Sequence, residues 1–217
     1  IPFVVLGAGL LCFGWFGFNA GSALAANGVA INSFMTTNTA AAAAMLSWRI
    51  IEKIMIGKPS VVGACSGAVV GLVAITPGAG FVSLWSSIII GLLVSPLSYF
   101  MISVVKKKFG YDDALDAFGC HGIGGMFGGI MTGIFATPAL APEKGYVGLV
   151  YGSGKLLLAN LTAVVFTVIF TALVSWIIIK VIGLIMPIRV TDRAEAIGLD
   201  DSEHEETAYP TFLGLDS

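Results

Sequence analysis

Residues 3–26 read FVVLGAGLLCFGWFGFNAGSALAA. The stretch is long and apolar enough to cross a bilayer, which takes about 20 residues as a helix. Yet its centre, GWFGFNAGS (14–22), holds three aromatics, three glycines, an asparagine and a serine. A helix that only had to face lipid would be built from Leu, Ile and Val. This one has residues for packing closely and for meeting something polar.

The rest of the chain agrees with the membrane reading. Hydrophobic residues make up 57% of the 217 and charged residues 11%, against roughly 25% charge in a soluble domain. Six candidate spans follow, at 3–26, 31–48, 61–76, 83–105, 117–138 and 156–185, so the expected class is all-α, a polytopic membrane helix bundle. The third and fifth are rich in glycine, which suits helices surrounded by other helices. The chain opens without Met and is already apolar, so we read it as continuing from an earlier part.

Positive charge orients the spans. Arg49, Lys53 and Lys58 follow the second, Lys106, Lys107 and Lys108 the fourth, and Arg189 and Arg193 the sixth. The turns after the first and third carry no charge, and Glu143 and Lys144 cancel after the fifth. All basic clusters thus fall on one side, expected to be cytosolic, and the outer end of the first span lies near Ser22. Residues 1–187 read as a membrane domain and 188–217 as a cytosolic tail. Eight of the thirteen acids lie in that tail, a pattern of either a solvated face or an ordered regulatory segment.

Several function classes drop out. No basic patch with interleaved aromatics is present, so nucleic acid is not an expected partner. Neither a P-loop lysine motif, HExxH nor GxSxG occurs, and an Asn-Pro-Ala motif is missing as well. Cys12, Cys65 and Cys120 have neither metal nor disulfide spacing. We expect no enzyme activity, no metal and no cofactor.

Two anomalies remain. On a helix Leu11, Trp15, Phe18 and Ser22 share one face. Aromatic faces attract cations and the serine hydroxyl can accept a hydrogen bond, so this face reads as the lip of a cation site or as an interfacial aromatic belt. The other is DAFGCHGIGGMFGG (116–129), where His121 sits inside the fifth span. An ionisable residue there faces a cavity or the bundle interior, and neutral imidazole both donates and accepts. It reads as part of a solute path or as a structural histidine. Asp116 stands where a helix N-terminus favours a carboxylate. Thr76-Pro77 reads as a structural end to the third span.

Taken together, GWFGFNAGSALAAN, GKPSVVGACSGAVVGLVAITPGAGFV, DAFGCHGIGGMFGGIMTGIFA and GLDDSEHEETAY resemble the ammonium transporter family (Amt/Mep/Rh), over essentially the whole chain and in order. The match is to the second half of its members, from the sixth helix onward. The resemblance implies half of an eleven-helix fold of two inverted five-helix repeats plus a final helix, assembled as a homotrimer in the cell membrane with a pore in each subunit. It implies ammonium or ammonia as substrate, with methylammonium as analogue.

By the same resemblance, Phe18 corresponds to one of two phenylalanines closing the outer pore, and Ser22 to the hydroxyl of an external ammonium site. His121 corresponds to one of a pair of pore histidines, and Leu11 lines the wall. Trp15, Asp116 and Thr76 are supporting residues; Trp15 is not the tryptophan of the external site. Gly198, Asp200, Ser202 and Tyr209 belong to a regulatory tail that in many members couples to a P-II signalling protein, and Ser202 stands where plant members have a phosphorylated threonine. The family's other histidine, other gating phenylalanine and outer aromatics belong to its first half and are not in this chain. An ammonium sensor and an Rh-like neutral-gas channel are the alternative functions.

Overall fold

The computed structural model describes residues 1–140 and 146–206. Contacts divide the chain into two compact units, 1–165 and 166–217. The first begins with α1 (Pro2–Gly21), α2 (Gly28–Ile56), α3 (Val61–Ile75) and α4 (Leu84–Phe100). A π-helical turn (Met101–Val105) carries α4 into α5 (Lys106–Phe109). A second π-helical turn (Phe118–Gly122) opens α6 (Ile123–Phe135), and α7 spans Lys155–Gly183. The six expected spans are all present as helical segments, and the fold is an all-α bundle. Three of them, Pro2–Gly21, Leu84–Phe109 and Lys155–Gly183, are long and apolar enough to cross a membrane.

The core combines aliphatic side chains such as Leu72, Ile75 and Ile90 with many small and hydroxyl-bearing residues. The buried face of α2 consists of Ser33, Thr36, Thr37, Ala40, Ala41, Ala44, Ser47, Trp48 and Glu52. Small side chains let helix backbones approach closely where dispersion, not water exclusion, holds them together. Gly71 of α3 shows how close. A Cβ there would lie 2.6 Å from the Ala40 carbonyl oxygen and 2.7 Å from the Ala44 Cβ.

Several of the polar groups buried in these contacts are hydrogen-bonded across helices. Ser95 of α4 donates to the Ala44 carbonyl at 2.7 Å, and Ser47 donates to that of Leu92 at 2.8 Å. Asn32 donates to the carbonyls of Ala79 and Val82, and Thr36 to that of Ala79. The loop after α3 is thereby pinned to α2. At the opposite end Glu52, only 7% exposed, accepts from the Ser60 amide at 2.7 Å and from its hydroxyl at 3.0 Å. Ser60 in turn caps α3 by accepting from Gly63. Between them Gly57, at φ 82°, ends α2 in the left-handed region that glycine adopts without strain.

The unit from 166 onward holds the remainder of α7, without a buried residue, then α8 (Asp192–Ile197) and α9 (Leu199–Glu203). Thr191 caps α8 by accepting from the Ala194 amide, and Arg189 pairs with Glu195 at 2.9 Å.

Gly71→Val should overpack the α2–α3 contact and cost about 1–3 kcal/mol. Thermal unfolding in detergent is the check: the variant melts earlier, whereas Gly9→Val, with open space around the Cβ position, melts near the wild-type temperature.

Candidate functional site

Of the twenty residues of α1, only Asn19 is buried. Most apolar residues of this helix are exposed, Trp15 and Phe16 are half-buried, and the one fully buried residue is polar. Asn19 Nδ2 donates to Thr37 Oγ1 at 2.9 Å, and Thr37 donates in turn to the Ser33 carbonyl at 2.6 Å. On the same side Phe16 stacks against Phe34 of α2 with ring centroids 4.3 Å apart. These contacts fix the rotation of α1 about its axis and so decide where its aromatic stripe points.

That stripe meets α3 and the His121 turn. Trp15 Nε1 donates to Thr76 Oγ1 at 2.7 Å. Its ring stands edge-on to Phe18, centroids 6.0 Å apart at 79°. The indole also lies over the imidazole of His121, with centroids 6.4 Å apart and planes 29° from parallel. Both separations fall within the range of attractive aromatic pairs. Phe18, Trp15 and His121 thus form one continuous aromatic series, contributed by two helices far apart in sequence.

Each remaining residue singled out in the sequence has a definite place. Ser22 ends α1, and its hydroxyl donates to the Phe18 carbonyl at 2.6 Å, which leaves its oxygen lone pairs able to accept. A cavity of about 160 Å³ lies beside it, lined by Phe18, Asn19, Ser22, Ser33, Thr76 and Phe81 among others. Leu11 is on the stripe and exposed. His121 occupies the π-helical turn Phe118–Gly122; such turns often accompany functional sites, because the extra residue re-aims side chains.

Two supporting residues do more, or other, than their local sequence suggests. Thr76 does bond the carbonyl one turn back, that of Leu72 at 2.7 Å, but the same hydroxyl is also the acceptor for Trp15. Asp116 does not cap with its carboxylate. That task falls to Asp113, whose two oxygens accept from the Ala117 and Phe118 amides at 2.9 Å each. Asp116 sits at φ 55° and pairs instead with Lys106 Nζ at 2.7 Å, while Lys106 also donates to the Asp113 carbonyl. Asp113 stands three residues before Asp116, and either spacing suits a helix start. Only the backbone path decides between them.

In the second unit Gly198, at φ 107°, joins α8 to α9. The carbonyl of Asp200 accepts from the amides of His204 and Glu206. The Ser202 hydroxyl donates to the Ala194 carbonyl at 3.3 Å, so α9 folds back onto α8. Tyr209 lies outside the described residues. Asn19, Asn32, Thr37, Glu52 and Asp113 were not singled out from the sequence. Their signal was a polar residue within, or just flanking, an apolar run.

Among known proteins, the architecture is that of a polytopic helical membrane protein. The profile of the Ammonium Transporter Family matches residues 1–209, and the chain belongs to that family. It is 50% identical over 207 residues to an ammonium transporter of Bacillus subtilis (strain 168), covering 95% of this chain and 51% of that protein. It is 47% identical over 210 residues to ammonium transporter Amt1 of Archaeoglobus fulgidus, covering 96% and 52%. The chain therefore spans about half the length of the curated relatives it matches. In three dimensions it is similar to Candida albicans Mep2, with a TM-score of 0.75 and 33% identity over 87% of this chain and 43% of that one. It is also similar to a protein titled Sensor Amt Protein, with a TM-score of 0.83 and 28% identity over 93% and 49%. The two curated relatives are named as ammonium transporters, and none of these names is that of an enzyme.

Replacing Asp113 by Ala should free two amides at the start of the His121 turn and cost about 1 kcal/mol, the usual worth of a helix cap. Hydrogen exchange should then speed up at residues 117–122 and leave α2 and α3 as they were.

Proposed function

We propose that the full-length protein moves ammonium across the cell membrane, with this chain supplying one wall of the path. The observation that carries the reading is the convergence of the α1 stripe on His121 through Trp15. NH₄⁺ is held at the outer end by aromatic faces and by the Ser22 oxygen. It gives up its proton to water at or before Phe18, since a narrow dry path penalises a charge by several kcal/mol, and the proton crosses by a separate route, so that one charge moves with each ammonia. Ammonia then passes Leu11 and His121, whose neutral imidazole can both donate and accept. Potassium, which has no proton to lose, stays outside, and methylammonium serves as an analogue of the substrate.

The same reading makes residues 1–187 the membrane domain and 188–217 a cytosolic regulatory tail. It holds three copies together in the membrane and brings a P-II signalling protein to the cytosolic face. The positions of the basic clusters support that sidedness. Support for an ordered tail comes from the back-folding of Ser202 onto Ala194. The similarity to a protein titled Sensor Amt Protein favours one second reading, in which the same path binds ammonium in order to signal.

The test is ammonium-evoked current from the full-length protein in liposomes, wild type beside His121→Ala, with potassium as control ion. The proposal expects an ammonium current without a potassium response in the wild type and loss of that selectivity in the variant. Tight ammonium binding without current would point to the sensor. Rapid ammonia flux without current would point to a neutral-gas channel.

A further inference from the structure

The Trp15 indole has one polar atom, and the structure gives it one partner. Nε1 donates to Thr76 Oγ1, 61 residues away, at 2.7 Å. The same hydroxyl donates to the Leu72 carbonyl at 2.7 Å. The threonine is therefore fully oriented: its hydrogen points back along α3 and its lone pair faces the indole. Linked hydrogen bonds of this kind polarise and strengthen one another. The residue next in the chain is Pro77, which has no amide hydrogen to compete for the hydroxyl oxygen.

The consequence reaches beyond Trp15. With its polar edge held, the ring's remaining freedom is taken up by Phe18 on one side and His121 on the other. Resting on the transport reading above, we propose that Thr76 is a positioning residue for the path: it sequesters the Trp15 N–H and sets the indole plane that links Phe18 to His121. Sequestration matters chemically. Ammonia carries a lone pair and accepts hydrogen bonds, so an unoccupied indole N–H beside a narrow path is a trap for the very molecule that must leave. Bonded to Thr76, the indole offers the path only its π-face, which attracts a cation but makes no directed bond to neutral ammonia's lone pair.

The direction of the effect follows. Thr76→Val keeps the shape of the side chain and removes the acceptor. The released N–H then holds ammonia by one added hydrogen bond. Maximal flux should fall roughly five- to tenfold, and the half-saturating concentration should fall with it, since one net hydrogen bond corresponds to a factor of that order. A packing defect would lower flux with half-saturation unchanged or raised. Thr76→Ser, which keeps the hydroxyl, should restore both parameters towards wild type. In a Trp15→Phe background, Thr76→Val should add nothing, because no N–H is left to release.

The experiment is methylammonium flux against concentration for the full-length protein in liposomes, over wild type, Thr76→Val, Thr76→Ser, Trp15→Phe and the Trp15→Phe/Thr76→Val double variant. It is paired with the indole N–H band of Trp15, isolated by ultraviolet resonance Raman difference between wild type and Trp15→Phe. A hydrogen-bonded band in wild type, lost in Thr76→Val and regained in Thr76→Ser, with flux and half-saturation falling together, supports the proposal. Wild-type flux in Thr76→Val, or the same further loss when Thr76→Val is added to Trp15→Phe, overturns it. An unbonded indole in the wild type overturns it even where Thr76→Val fails to fold. No flux from the wild type itself would instead overturn the transport reading, whatever the Raman band shows.

Discussion

A polar group placed inside this bundle gains most by finding its partner within the protein, because an apolar surrounding offers no water to replace one, and most of the buried hydroxyls and the Glu52 carboxylate do so. That constraint acts most strongly on α2. Its buried face carries hydroxyls, a carboxylate and small residues, and each hydroxyl bond across the interface costs a neighbour the freedom to slide. Ser95 and Ser47 fix α4 against α2. Asn32 and Thr36 fix the loop after α3, and Glu52 fixes the other end of α3 through Ser60. Hydrophobic burial cannot do this alone, since a lipid tail is as apolar as leucine.

The candidate site inherits its rigidity from that frame. α1 is apolar almost all round, and the Asn19 bond to Thr37, with the Phe16–Phe34 stack, turns it to one angle. At that angle Trp15 reaches Thr76, a residue held by its own bond to Leu72 at the end of α3. His121 arrives from the other direction, on a π-helical turn whose start is held by Asp113 and by the Lys106–Asp116 pair. The aromatic series Phe18–Trp15–His121 is therefore positioned from both sides of the bundle, by hydrogen bonds that no member of the series makes except Trp15.

This arrangement separates attraction from retention. On the proposed reading, aromatic π-faces would draw a cation in, and the imidazole would exchange hydrogen bonds with the ammonia it releases. Donors that would hold a neutral molecule strongly are turned towards the protein: the Trp15 N–H to Thr76, the Asn19 amide to Thr37 and the Ser22 hydroxyl to the Phe18 carbonyl. A path that is attractive at its mouth and undemanding along its length suits rapid passage of a small solute.

Much of this was already determined by the sequence. The lengths of the apolar runs set six helical segments, the spacing of Leu11, Trp15, Phe18 and Ser22 put them on one helix face, and the position of His121 inside a span marked it as unusual. Those readings survive because helix periodicity and burial of charge act locally. What lay beyond the sequence was which residue each face meets. Thr76 looked like a helix end and is the acceptor for an indole 61 residues away. Asp116 looked like a cap and is an ion-pair partner, the cap being Asp113. Asn19 had no assigned task and helps to set the rotation of α1. A hydrogen bond between distant helices depends on crossing angles and on the packing of small residues such as Gly71 against Ala40 and Ala44, and no spacing along one helix encodes those. Only the packed bundle chooses the partner.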